Sequence, residues 1–306
     1  MLKKDDCTLS HSVYEKIRRE AKRILIESNA IGRFPTPVAD IMDVAKVEVV
    51  DDNILDEGFL SKIRKKAGRA LKKAISVTLG VLDVKGRFVF VDKTVHAVRQ
   101  TFIKIHEAGH FIMAWQRKLY SIVEDCEKTI STEIEDHFDR EANVFTSEVL
   151  FQLDTFSEEA ENHGFGIQVP IRLSKKYGAS IYASIRRYVS KNWRACAVLV
   201  LDPPELMAGC GFKAGLRRVV YSDKFIEVFG KINWPEQYTP DDEIGSMVPV
   251  GGRRMSAPRE IGLKNDNGEL CECIAEAFTQ TYQVFILIHA VKTLKPGYCI
   301  CVLTVS

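Results

Sequence analysis

Apolar residues return at helical spacing near the start of the chain. Val13, Ile17, Ala21, Ile24 and Leu25 predict an amphipathic helix within residues 11–31. Phe34-Pro35-Thr36-Pro37 ends it, because proline removes a donor and restricts the residue before it. A short helix from Val38 to Ala45 and a strand from Val47 to Val50 follow. Two further strands, Ala74 to Leu82 and Arg87 to Val91, flank Asp83-Val84-Lys85-Gly86 and read as a hairpin. The edge of such a hairpin can accept an extended peptide through backbone pairing. Residues 98–119 read as one long helix with Ile103, Ala114 and Trp115 turned inward. A second helix over about residues 134–153 carries Phe138, Ala142, Phe145, Val149 and Leu153 on one stripe.

The periodicity then changes twice. Residues 172–190 predict a helix, a turn at Gly178 and a second helix capped by Ser180, a helix-turn-helix-like pair. Arg186 and Arg187 on its second helix offer contacts to DNA, although helix pairs of this shape often only pack. Beyond Arg194 the apolar runs shorten to strand length, at Ala197 to Leu201, Val219 to Tyr221, Gln283 to His289 and Tyr298 to Leu303. Pro203-Pro204, Val250-Gly251-Gly252 and Asn265-Asp266-Asn267-Gly268 mark the turns. The expected class is α+β. A zincin-like domain with a small mixed sheet and an active-site helix occupies residues 1–160. A helix-turn-helix-like segment spans 161–193, and a strand-rich domain, sensory or regulatory in layout, spans 194–306.

Composition adds mainly exclusions. At 306 residues, 46% apolar and 27% charged, the chain is ordinary for a globular protein. A net charge of +2 demands neither nucleic acid nor a membrane as partner. The polar start Met1-Leu2-Lys3-Lys4-Asp5-Asp6 and the lack of long apolar runs predict no signal peptide, no membrane span and a cytoplasmic location. Eight cysteines in such a chain read as reduced thiols rather than a disulfide framework. One local cluster stands out: Lys62, Arg64, Lys65, Lys66 and Arg69 form a solvated basic segment or a docking site for an acidic partner or a phosphate backbone.

The chemistry lies in His106-Glu107-Ala108-Gly109-His110. Residues four apart share one helix face, so His106 and His110 can place two ring nitrogens on one metal. Glu107, beside the first ligand, can take a proton from water that zinc has acidified and pass it to a leaving amine. An extended motif with a third histidine would need it at position 116, where Gln116 stands, so the metzincin pattern is excluded. The third ligand is expected from Asp139-Arg140-Glu141-Ala142-Asn143, and Glu141, thirty-one residues after His110, is the choice. His137, one turn earlier, is a further ligand or a supporting partner, and Asp139 is a supporting partner or a solvated carboxylate.

These motifs resemble the ImmA/IrrE-type metallopeptidases over roughly residues 13–190. The resemblance rests on Gly80-Val81-Leu82-Asp83-Val84-Lys85-Gly86-Arg87-Phe88-Val89-Phe90-Val91, on Arg99 to Phe102 leading into His106 to His110, and on Arg140 to Phe145. It implies zinc on His106, His110 and Glu141, with Glu107 as base. Manganese is the alternative working metal on chemical grounds, since geometry and availability decide between the two. It implies a cytoplasmic endopeptidase whose substrate is a helix-turn-helix repressor of stress or mobile-element genes. The family often has Phe-Ala after the Asn and Met-Pro ending the helix, where this chain has Phe145-Thr146 and Leu150-Phe151-Gln152-Leu153. Two other readings use the same residues: a DNA-binding or signal-sensing regulator with a structural metal, and a small-molecule zinc hydrolase. Oligomeric state is not legible here.

Overall fold

A computed structural model describes residues 9–50, 80–83, 87–91, 95–126, 132–209 and 211–292. The basic segment holding Lys62, Arg64, Lys65, Lys66 and Arg69 lies outside the described residues, as do the expected strand from Tyr298 to Leu303 and the first part of the strand from Ala74. The fold is α+β. Two compact units divide it: residues 9–158 with 172–183, and residues 159–171 with 184–292. The helix-turn-helix-like segment expected over 161–193 is shared between them.

The first unit opens with helix α1 (His11–Glu27), whose Ile17, Ala21, Ile24 and Leu25 are buried one turn apart. Helix α2 (Val38–Ala45) ends on Lys46, which takes the left-handed conformation (φ 57) and hands the chain to strand β1 (Glu48–Val50). Strands β2 (Gly80–Asp83) and β3 (Phe88–Val91) pair antiparallel, as the hairpin pattern predicts, and β1 runs parallel to β3 on its other side. Among the described residues these strands form a three-stranded mixed sheet with β2 at one edge.

Helix α3 (Ala97–Ile112) follows, then α4 (Ala114–Cys126) and α5 (Thr132–Leu150). A core of Ile41, Val89, Val91, Ile105, Ala108, Phe145 and Val149 joins helices and sheet. Two helix lengths differ from expectation. The motif helix does not run through to residue 119: it breaks at Met113, which is extended (φ −72, ψ 99), so Ala114 is exposed and Trp115 only half-buried. The second helix stops at Leu150, because Gln152 (φ 47) and Leu153 (φ 60) turn left-handed. Gln152 accepts from the Gly32 amide at 2.7 Å and donates to the carbonyls of Ala30 and Arg33 at 3.0 and 2.7 Å. Its side chain thus satisfies loop backbone that would otherwise be buried unpaired.

Helices α6 (Thr155–Glu161), α7 (Gln168–Tyr177) and α8 (Ile181–Ser190) come next. Gly178 turns between α7 and α8 at φ +61, and a Cβ there would lie 2.9 Å from Pro35 Cβ. Ser180 Oγ accepts from the Ala183 amide at 3.1 Å, the expected cap. Arg187, offered above for DNA, is buried and only 3% exposed.

The second unit is built on an antiparallel sheet. Its strands are β4 (Cys196–Leu201), β5 (Glu205–Met207), β6 (Gly211–Tyr221), β7 (Gln237–Tyr238), β8 (Arg259–Lys264), β9 (Leu270–Gln280) and β10 (Gln283–Ala290). The order is β5-β6-β4-β10-β9-β8, with β7 beside β6. β4 and β10 are central, which explains why both read as unbroken apolar runs: each is buried on two faces. Ala197, Leu199, Ile286 and Ile288 join Phe225 and Phe229 of helix α9 (Asp223–Phe229) in a single core. On the alternate positions, His289 meets Phe165 at 4.7 Å between ring centroids, and Glu276 accepts from the Ile167 amide at 2.7 Å. Cys196, Cys271 and Cys273 are free thiols, in keeping with the reduced reading.

Candidate metal centre

Helix α3 holds the motif with its ring-bearing face against α5. The approach is close because Gly109 lacks a side chain: a Cβ there would lie 2.8 Å from Phe145 Cδ1. The glycine that weakens α3 as a helix is the one that lets α5 come near. His106 and His110, one turn apart, point their Nε2 atoms at each other across 3.2 Å. Asp139, from α5, brings Oδ1 within 3.6 Å of His110 Nε2 and 3.9 Å of His106 Nε2. These three residues are the group among the described residues whose donor atoms converge closely enough for one cation, all within 4.8 Å of one another.

These are not ion pairs. Burial, and then the neighbouring His110, pushes His106 down to about 3; burial pushes His110 down to about 4. Both rings are therefore neutral near pH 7, with lone pairs available for a metal. Two nitrogens bound about 2.0–2.1 Å from one tetrahedral zinc sit about 3.3 Å apart, close to the 3.2 Å between the two rings. The donor set of two imidazoles and one carboxylate has the three protein ligands of a catalytic site rather than the four of a closed structural one. Asp139 is well exposed, with 61% of its side-chain surface accessible.

Glu107 is buried beside the pair. Burial, and then the charge of Asp139, raises its carboxyl to about 8. A cation opposite these groups favours the ionised form and opposes that rise. Tyr120 packs its ring edge on His110 at 5.6 Å, and burial, then Asp139 and Glu107, raises its hydroxyl so that it stays a proton donor.

Glu141, the ligand expected from the sequence, is turned elsewhere. Its Oε2 accepts from Trp115 Nε1 at 2.7 Å and from Gln116 Nε2 at 2.6 Å, and its Oε1 lies 3.2 Å from His137 Nε2. Residues two apart on a helix are about 200° apart around its axis, so Asp139 and Glu141 do not face one point. His137 accordingly contacts Glu141 rather than the histidine pair. Sequence reasoning overlooked Gln116, although it marked the position as the one where a third histidine was absent. No sequence signal shows that this glutamine would be buried between His110 and Glu141.

Residues 64–187 match the family model for the IrrE N-terminal-like domain of the M78 peptidases. Among solved structures, a Mycobacterium tuberculosis transcriptional regulator aligns with 92% of this chain and 89% of its own, at 12% identity and a TM-score of 0.49. Comparison with curated proteins gives no match. No helix among the described residues is long and apolar enough to cross a membrane.

Proposed function

We propose that this chain is a metal-dependent endopeptidase, with zinc as the metal and manganese as the alternative, acting on a protein regulator. The observation that carries the reading is the convergence of His106 and His110, 3.2 Å apart, with the Asp139 carboxylate, beside a buried glutamate on the same helix. We assign His106, His110 and Asp139 as the ligands, with Glu141 moved from ligand to support. A metal held there supplies Lewis-acid polarisation of water and of the scissile carbonyl. Glu107 takes the proton from the attacking water and delivers it to the amine nitrogen that leaves as the peptide bond breaks. Tyr120 remains protonated beside the site as a hydrogen-bond donor. The edge strand β2 offers backbone groups to an extended peptide.

The resemblance supports a cytoplasmic helix-turn-helix repressor as substrate, docked in part through Lys62, Arg64, Lys65, Lys66 and Arg69. The alternative of a DNA-binding regulator loses Arg187, which is buried, as a contact. Metal content and cleavage of a panel of such repressors, measured on wild type, Glu107→Gln and Asp139→Ala, test the reading. About one metal ion in wild type and Glu107→Gln, cleavage by wild type alone, and loss of metal in Asp139→Ala are expected. Cleavage by Glu107→Gln, or full metal content in Asp139→Ala, refutes the assignment of the altered residue.

A further inference from the structure

The amide of Gln116 has no exposed surface, yet all of its atoms with hydrogen-bonding capacity are engaged. Its nitrogen faces Glu141 Oε2 at 2.6 Å and the Phe138 carbonyl at 3.3 Å. Its oxygen faces His110 Nδ1 at 2.6 Å. Only one orientation satisfies these neighbours. A carboxylate and a carbonyl accept and never donate, so the amide NH2 must point at them. That leaves Oε1, an acceptor only, against His110 Nδ1, which must therefore carry the proton. In a neutral ring the proton on Nδ1 leaves the lone pair on Nε2, the nitrogen turned towards His106 and Asp139.

Glu141 anchors the far end. Trp115 Nε1 and Gln116 Nε2 both donate to its Oε2, which fixes the carboxylate in a buried position. The break at Met113 separates α3 from α4 and starts a new helix on which Trp115 and Gln116 both reach α5.

We propose that Gln116 is a positioning residue that selects the Nδ1-protonated tautomer of His110 and aims its Nε2 at the metal, with Glu141 acting through Gln116 instead of at the metal. The arrangement is a carboxylate–amide–histidine relay in place of the direct carboxylate–histidine contact common behind metal ligands. It rests on the reading of His106, His110 and Asp139 as ligands, but its first consequence is visible without metal.

Two measurements on the full chain test it. Long-range proton–nitrogen correlation spectra of the metal-free protein report which ring nitrogen of His110 is protonated. The wild type should show Nδ1–H, and Gln116→Leu should lose that preference. A His110 protonated on Nε2 in the wild type, or a tautomer unchanged in a folded Gln116→Leu, overturns the proposal. Titration with cobalt(II), with a competing chelator, gives affinity. Gln116→Leu should bind about 10–100-fold more weakly. Gln116→Leu binding cobalt as wild type does also overturns it. A wild type with the expected tautomer but no cobalt binding leaves the relay standing and refutes the metal-centre reading.

Discussion

The two units bury polar side chains in different ways. Around the candidate metal centre, buried polar groups bind one another: His110 to Gln116, Gln116 to Glu141, Glu141 to Trp115. In the strand-rich unit, Ser222 and Glu276 bind backbone. Ser222 Oγ donates to the Arg194 carbonyl at 2.6 Å and accepts from the amides of Cys196 and Phe225, both at 3.1 Å, while Glu276 accepts from Ile167. Gln152 does the same within the first unit, away from the site. A side chain that satisfies backbone fastens one segment to another and leaves no ring to orient. A chain of side chains fixes tautomer and direction at its far end, which is what a metal ligand requires. The contrast separates scaffold from site inside a single chain.

Breaking the comparison at the site should cost most. His110→Ala should abolish metal binding and activity, whereas Ser222→Ala in the other unit should leave metal content unchanged; metal analysis of both proteins checks this. Glu107→Gln should retain metal and lower cleavage by about 10²–10⁴-fold.

The acidity of Glu107 gives the next effect, in chelator-treated protein. Its folded value of about 8 lies above the ordinary 4.5, so the folded state holds a proton that the unfolded chain releases. That contribution to stability is complete below about 4.5 and is lost as pH rises towards about 8, by a few kcal/mol at ~1.4 kcal/mol per unit. His106 and His110, held below their ordinary 6.5 in the folded state, work in the opposite direction up to that value. Denaturant titrations between about 6.5 and 8 should therefore show the decline in wild type, and Glu107→Gln should flatten it.

Glu141→Ala strands the Trp115 and Gln116 donors in a buried place. It should cost roughly 2–3 kcal/mol of stability, yet weaken metal binding less than Asp139→Ala, which removes a ligand and leaves the relay intact. The reverse ranking would return Glu141 to the metal. Gly109→Ala should sharpen the comparison further. Crowding against Phe145 costs about 1–3 kcal/mol, partly offset by about 1 kcal/mol of helix propensity, with metal affinity falling as α5 is pushed away. Ser222→Ala should show the smallest effect, about 1 kcal/mol, visible in thermal unfolding alone.

Much of this molecule was legible before folding. α1, α2, the β2–β3 hairpin and the central strands β4 and β10 follow from apolar period and turn residues, as does the Ser180 cap. The six-residue strand β8 and the eleven-residue strand β9 were not read. Leu270 to Gln280 mixes Cys271, Glu272, Glu276 and Thr279 into its apolar positions, and its edge neighbour β8 alternates only weakly. The single helix expected over 98–119 concealed the break at Met113, since amphipathic spacing persists on both sides of it.

His106-Glu107-Ala108-Gly109-His110 determined by itself that two imidazoles share a helix face with a carboxylate beside them, because the 3.6-residue repeat depends on no partner. The choice between Asp139 and Glu141 was different. The buried stripe of Phe138, Ala142, Phe145 and Val149 places Asp139 roughly 90° to one side and Glu141 roughly 70° to the other, so both carboxylates flank the core almost equally. Only the packing of α5 on α3 through Gly109, together with the seating of Trp115 and Gln116 against Glu141, decided which of them meets the histidines. A helix read alone fixes angles about its own axis, and its rotation against a neighbour is set by contacts that exist only in the folded chain.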